Sequence, residues 1–269
     1  MSVVRPPAVA GTFYPEDAAV LTETLRRLLN SARLTASCGP APKAIVVPHA
    51  GYLYSGPVAA SAYARVATAK GRVHRVVILG PAHTVALESV AASSADAFST
   101  PLGVLEVDSA SRDAVIEGGL VSVSDLAHAA EHSLEVQLPF VQFVLGPVKV
   151  LPLVIGAVST SAVAELLDRL WGGPETLVVV STDLSHYHDV ETARRLDRRT
   201  AAAIVARSPE GVAPGDACGF YALRGLLEVA TRRHMELELL DLRTSADTTG
   251  DPMRVVGYGS FALALGRRS

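Results

Sequence analysis

Ala44-Ile45-Val46-Val47-Pro48-His49-Ala50-Gly51-Tyr52 decides the fold. A β-branched apolar run stops at a proline and delivers a histidine into a turn containing Gly and Tyr. An Ala-rich helical pattern follows from about Gly56 to Ala69. This is the grammar of a buried strand with a polar side chain at its carboxyl end. The pattern recurs at Val76-Val77-Ile78-Leu79-Gly80-Pro81-Ala82-His83, and again at Leu177-Val178-Val179-Val180-Ser181-Thr182-Asp183-Leu184-Ser185-His186. Three strand ends each carrying a ligand-type residue point to a site.

Working outward, Glu16 and Asp17 open a helix whose apolar face is Leu21, Leu25, Leu28 and Leu29. Residues 36–42 read as a loop. Residues 86–107 read as two strands joined by a turn at Ser99-Thr100-Pro101-Leu102-Gly103, and Ser109 to Glu117 as a short helix closed by Gly118-Gly119. Glu131-His132-Ser133-Leu134-Glu135 opens a further helix, in which Pro139 predicts a kink or a late start. Val148 to Ile155 is a third core strand, Ser161 to Leu170 a helix, and Leu177 to Ser181 a fourth core strand. Glu191 to Arg207 is amphipathic with a charged solvent face. Asp216-Ala217-Cys218-Gly219 precedes a helix to about Arg233, and Met235 to Leu242 and Val255 to Leu265 alternate as strands. The order predicts an α/β fold, residues 1–269 in a single domain, with a mostly parallel central sheet flanked by helices and antiparallel strands at its edges.

Composition excludes several classes. The 269 residues are 49% hydrophobic, enough for a sizeable core. No apolar run approaches the roughly 18 residues a membrane span needs. A net charge of −3 gives no basis for a nucleic-acid partner. Two cysteines make no disulfide framework, and with no signal-type start the cytoplasm is the expected location. A Gly-rich phosphate loop, a Cys-x-x-Cys pair and a Gly-x-Ser-x-Gly elbow are all absent from the sequence.

In open α/β sheets, ligands bind beyond the carboxyl ends of the strands, where this reading puts His49, His83, Asp183 and His186. Two imidazoles and one anionic residue make a three-point metal site with open positions, suited to iron, copper or zinc. The anionic member is Cys218 or Asp183. A position just before a helix is expected to favour the thiolate of Cys218. An unperturbed imidazole titrates near neutrality, so His186 is a candidate acid or base, and His132 is either a donor that orients a ligand or another acid or base. Tyr52 and Tyr54 are candidate pocket walls. His74, His128, His188 and His234 sit in polar or Arg-rich contexts and are read as surface residues, and Cys38 as an inert loop thiol.

At these residues the chain resembles the Memo-like family, whose prokaryotic members are often named AmmeMemoRadiSam system protein B. The matching stretches are Ala10-Gly11-Thr12-Phe13-Tyr14-Pro15, Val47-Pro48-His49-Ala50-Gly51-Tyr52, Ile78-Leu79-Gly80-Pro81-Ala82-His83, Glu131-His132-Ser133-Leu134-Glu135 and Ser181-Thr182-Asp183-Leu184-Ser185-His186. Cys218-Gly219 and Tyr258-Gly259 also fit. The resemblance implies a fold similar to that of the class III extradiol dioxygenases, non-haem iron enzymes that open catechol rings. By that likeness His49 and His83 take the place of the iron-binding histidines, and His186 that of the acid/base, with Asp183 beside it. Cys218 replaces the dioxygenase carboxylate. Phe13, Tyr52 and Tyr54 would contact substrate. Radical SAM and AMMECR-type proteins are the implied partners. Eukaryotic relatives are associated with motility signalling, phosphopeptide binding and metal redox chemistry.

Three functions fit these residues. One is an iron- or copper-dependent oxidoreductase. Another is a zinc hydrolase with Asp183 or His186 as base. The third is a non-enzymatic module that binds a peptide or protein partner on a dioxygenase-like fold.

Overall fold

The computed structural model describes residues 2–35, 39–248 and 251–265. Cys38 lies outside them. The strands are β1 (Val4–Arg5), β2 (Ala44–Val47), β3 (Arg75–Pro81), β4 (Val90–Ala92), β5 (Ala97–Thr100), β6 (Gly103–Glu106), β7 (Ser122–Val123), β8 (Lys149–Ile155), β9 (Thr176–Ser181), β10 (His186–His188), β11 (Met235–Thr244) and β12 (Val255–Leu265). The helices are α1 (Ala18–Thr35), α2 (Tyr52–Val66), α3 (Ser109–Glu117), α4 (Asp125–Ala129), α5 (His132–Glu135), α6 (Leu138–Leu145), α7 (Thr160–Leu170), α8 (Val190–Val205) and α9 (Phe220–Arg232).

The main sheet runs β10-β12-β2-β9-β3-β8-β4-β7, with β11 also paired to β12. Its centre, β2-β9-β3-β8, is parallel. These strands are near-continuous apolar runs, broken only at their ends by Arg75, Lys149, Thr176 and Ser181, as in sheets covered by helices on both faces. β12 is antiparallel to β2, and β4 is antiparallel to β8. The result is the expected α/β fold with a mixed sheet. One consequence of strand order matters for function. β9 lies between β2 and β3, so the loops that leave the carboxyl ends of these three strands are neighbours.

Helix packing follows the apolar patterns. Leu21, Leu25 and Leu29 of α1 are buried, and Asp17 caps the helix by accepting from Ala19 N and Val20 N at 2.9 Å. α1, α2 and α6 pack together, and α7 pairs with α9. α2 begins at Tyr52 rather than Gly56, because Tyr52 N donates to the Phe13 carbonyl at 2.8 Å and anchors its first turn. Pro139 gives the late start: α5 ends at Glu135, and α6 begins at Leu138 with the proline in its first turn.

Residues 86–107 differ from the two-strand reading. They form three strands in two sheets, β4 in the main sheet and the β5–β6 hairpin in a small sheet with β1. The break at Ser93-Ser94 is held from outside. The Asp125 carboxylate accepts from Ser93 Oγ at 2.7 Å, Ser94 N at 2.8 Å and Ser94 Oγ at 2.6 Å. His128, read as a surface residue, is buried. Its Nε2 faces the Ala91 carbonyl at 3.0 Å, and its own carbonyl accepts from Arg5. Burial holds its pKa down at about 4.

Candidate metal centre

β2 ends at Val47, level with Ser181 of β9, and the chain turns at Pro48 to place His49 over the sheet edge. His49 is 2% exposed. Its backbone N–H donates to Asp183 Oδ1 at 2.8 Å, so the β9 loop holds the β2 loop. The ring Nδ1 lies 2.9 Å from Ser181 Oγ. That hydroxyl donates its single proton to the Ser133 carbonyl at 2.6 Å and accepts from Gln137 Nε2 at 2.9 Å. Nδ1 of His49 must therefore carry the proton, which leaves the Nε2 lone pair free.

His83 is set in the same way by a different partner. Glu131, 1% exposed, accepts from the His83 backbone N–H at 2.7 Å, and its Oε1 faces His83 Nδ1 at 2.9 Å. Oε1 also accepts from Ser133 N at 2.9 Å. Burial alone would raise the pKa of Glu131. The bonds from His83 and Ser133 more than offset it and hold the carboxyl down at about 2. An ionised carboxylate only accepts, so His83 Nδ1 carries a proton, and Nε2 is the ring nitrogen left without a hydrogen bond among the described residues. Two imidazoles fixed at Nδ1 and open at Nε2 are the arrangement that outer hydrogen bonds impose on metal-binding histidines.

His132, at the start of α5, completes the group. Its ring stacks on His83 with centroids 4.7 Å apart and stands edge-on to His49 at 5.4 Å; His49 and His83 are 5.2 Å apart. The three residues offer ligand atoms that all lie within 4.8 Å of one another. α5 reaches this position because the next-to-last residue of β3 is glycine: a Cβ on Gly80 would meet Ser133 Oγ at 2.6 Å. His49 is driven well below the usual histidine range by burial and then by repulsion from His83 and His132, and His132 is lowered by burial and by His83. Three crowded imidazoles, with His49 held neutral by burial, suit a cation. The donor set fits a metal ion.

Cys218 reaches the same place from the loop before α9. Its Sγ lies 3.3 Å from His49 Nε2. Metal–sulfur and metal–nitrogen bonds of about 2.3 and 2.0 Å, in a tetrahedron, separate two such ligands by about 3.5 Å. Asp183 and Cys218 brace each other: Asp183 N donates to Sγ at 3.2 Å, and Cys218 N donates to the Asp183 carbonyl at 3.2 Å. Gly219 lets the loop in, since a Cβ there would be 2.6 Å from Thr182 Cβ. The expectation of a favoured thiolate is corrected. Burial, then the charge of Asp183, pushes the thiol up to about 12, outweighing the bonds from Thr182 and the backbone.

The other expected residues sit around this group. Asp183 is buried and its pKa is raised by burial; its role in the structure is to hold the His49 turn. His186 opens β10 and is half-buried, and its ring makes no hydrogen bond among the described residues. The Phe13 ring lies 4.6 Å from His132, so the N-terminal segment walls one side. Tyr54 is exposed on the first turn of α2. Tyr52 is buried, and its hydroxyl donates to the Val136 carbonyl at 2.8 Å, which makes it a strut behind the site.

Glu131 and Glu135 were the residues that sequence reasoning passed over. Glu135 is buried and accepts from Arg5, Tyr14 Oη at 2.6 Å, Ala8 N at 2.8 Å and Val9 N at 3.0 Å. It therefore ties down the segment that carries Phe13. The available signal was the pair of carboxylates bracketing His132 in Glu131-His132-Ser133-Leu134-Glu135.

The family model for Memo-like proteins matches residues 5–262. A MEMO1 family protein of Aquifex aeolicus is 35% identical, over 95% of this chain and 97% of its own. One from Methanopyrus kandleri is 36% identical over 97% and 99%, and one from Thermotoga maritima 35% over 96% and 99%.

Proposed function

The chain belongs to the Memo-like protein family, and from that premise we propose that it is an iron- or copper-binding protein with a dioxygenase-like oxidoreductase pocket. The observation that carries this reading is the matched state of His49 and His83, both held at Nδ1 and both open at Nε2. Cys218 is the proposed third donor, favoured by its 3.3 Å approach to His49 Nε2. A second donor set, with His132 in place of Cys218, is favoured by the mutual proximity of the three imidazoles.

When bound, the ion would supply Lewis acidity and one-electron redox chemistry at positions left open to substrate or dioxygen. The protein's own part is division of labour. Ser181 and Glu131 orient the donors, Asp183 holds the turn of His49 against the loop of Cys218, and Phe13 walls the pocket beside His132. His186, half-buried and without a side-chain hydrogen bond among the described residues, is the group proposed to take up or release a proton.

Anaerobic purification followed by metal analysis tests the reading. About one iron or copper per chain is expected, absent from the His49→Ala/His83→Ala double variant. Cys218→Ser and His132→Ala then separate the two donor sets, because only the true third ligand should cost most of the metal. Unchanged metal in the double variant would sink the site. Zinc as the native metal, with turnover indifferent to dioxygen, would favour hydrolysis over oxidation.

A further inference from the structure

The amino ends of the parallel strands border a second cavity. Lys43 precedes β2, Val73 precedes β3 and Thr176 opens β9, and all three line a cavity of about 750 Å³. At about 3.3 Å per residue, it lies roughly 20 Å from the histidines, across the length of the sheet. Its volume falls within the range of roughly 300–1,000 Å³ typical of small-molecule sites.

The lining is one-sided in charge. Lys43, Arg72, Arg232 and Arg233 contribute cations, and no carboxylate lines the cavity among the described residues, in a chain of net charge −3. Some of that charge is already committed. Lys43 Nζ donates to the carbonyls of Trp171, Gly173 and Thr176. Arg232 and Arg233 share one carboxylate, Asp168, at 3.0 and 2.7 Å. Arg72 makes no side-chain hydrogen bond or ion pair among the described residues. Two of the cations lie over the Trp171 ring, Arg233 at 4.9 Å and Lys43 at 5.4 Å from its centre. Val73 and Met235 add apolar wall.

We propose that this cavity is a binding site for a small organic anion, a phosphate or carboxylate carried on an apolar body. Arg72 and the Arg232–Arg233 pair would take the anionic group, and Trp171 with the apolar wall would take the body. The site is separate from the metal centre and does not depend on the reading of that centre.

Trp171 is the only tryptophan in the chain, so its fluorescence reports this cavity directly. The intact protein is titrated with phenyl phosphate, phenylacetate, inorganic phosphate and benzyl alcohol. Saturable change with either aromatic anion is expected, and the tighter of the two identifies the headgroup. Inorganic phosphate should bind more weakly, and benzyl alcohol should bind hardly at all. Arg72→Ala, an exposed position, should weaken binding about tenfold, and the His49→Ala/His83→Ala protein should bind as the parent does. No saturable signal with either aromatic anion, equal binding of the neutral alcohol, an unchanged Arg72→Ala titration, or loss in the histidine variant would each overturn the proposal.

Discussion

The two ends of the same strands solve opposite electrostatic problems. At the carboxyl ends of β2, β9 and β3, three imidazoles are crowded together, with burial holding the pKa of His49 and His132 down, and the buried charge beside them, Glu131, is satisfied by bonds from His83 and Ser133. At the amino ends, the cations keep solvent access, and Arg72 has no side-chain partner among the described residues. Burial makes the difference. Deep in the fold a charge persists only if it is hydrogen-bonded and paired, and otherwise the group becomes neutral, as His49 does. Near solvent a cation needs no partner, and so remains free for a ligand.

That contrast can be broken most sharply at Glu135. Glu135→Ala leaves Arg5 buried beside its emptied partner site and frees the segment carrying Phe13. A loss of about 3–5 kcal/mol is expected, and thermal unfolding should show it as a drop of about 10 °C. A shift of only a degree or two would mean that this ion pair is not held as tightly as its burial implies.

His128 extends the test to pH. Its pKa is about 4 in the fold, against 6.5 when unfolded. Between those values the unfolded chain binds the extra proton, so stability present above pH 6.5 is lost as pH falls toward 4. The loss assignable to this group is about 3 kcal/mol. Urea unfolding at pH 7 and pH 4.5 should show a smaller acid loss for His128→Phe than for the parent; equal losses would move the acid sensitivity elsewhere.

At Glu131 the readout is affinity. Glu131→Gln keeps the shape but no longer fixes His83 through an ionised acceptor, and metal affinity should fall about 10–100-fold in a competition titration against a chelator. The smallest effect is expected at the other end. Lys43→Met removes one donor from three carbonyls that water can reach, costing about 1–2 kcal/mol in chemical denaturation. Its metal content should match the parent's. A Lys43→Met protein that loses metal would show that the two ends are coupled through β2.

Much of the fold was legible in advance because its signals are local. The apolar runs of β2, β3 and β9, the leucine face of α1 and the break at Pro139 follow from side-chain periodicity and backbone sterics within a few residues. The same is true of His49, His83 and Asp183 as strand-end residues. The errors fell where the deciding partner is remote. His128 looked like a surface residue until Ala91 and Arg5 enclosed it. The thiol of Cys218 looked acidic at a helix start, until burial beside Asp183 outweighed that effect. Residues 86–107 looked like one hairpin because the carboxylate that splits them belongs to Asp125. No helix among the described residues is long and apolar enough to cross a membrane, in keeping with the interrupted apolar runs.

The sequence by itself determined which strands stop, and which side chain stands where each one stops. Tertiary structure alone decided that β9 would lie between β2 and β3, which makes those side chains neighbours. It also decided which nitrogen of each histidine is open. Ser181 is 132 positions from His49, and Glu131 is 48 from His83. No local propensity spans such separations. Only the packed fold brings the acceptor to the ring, and the acceptor selects the tautomer.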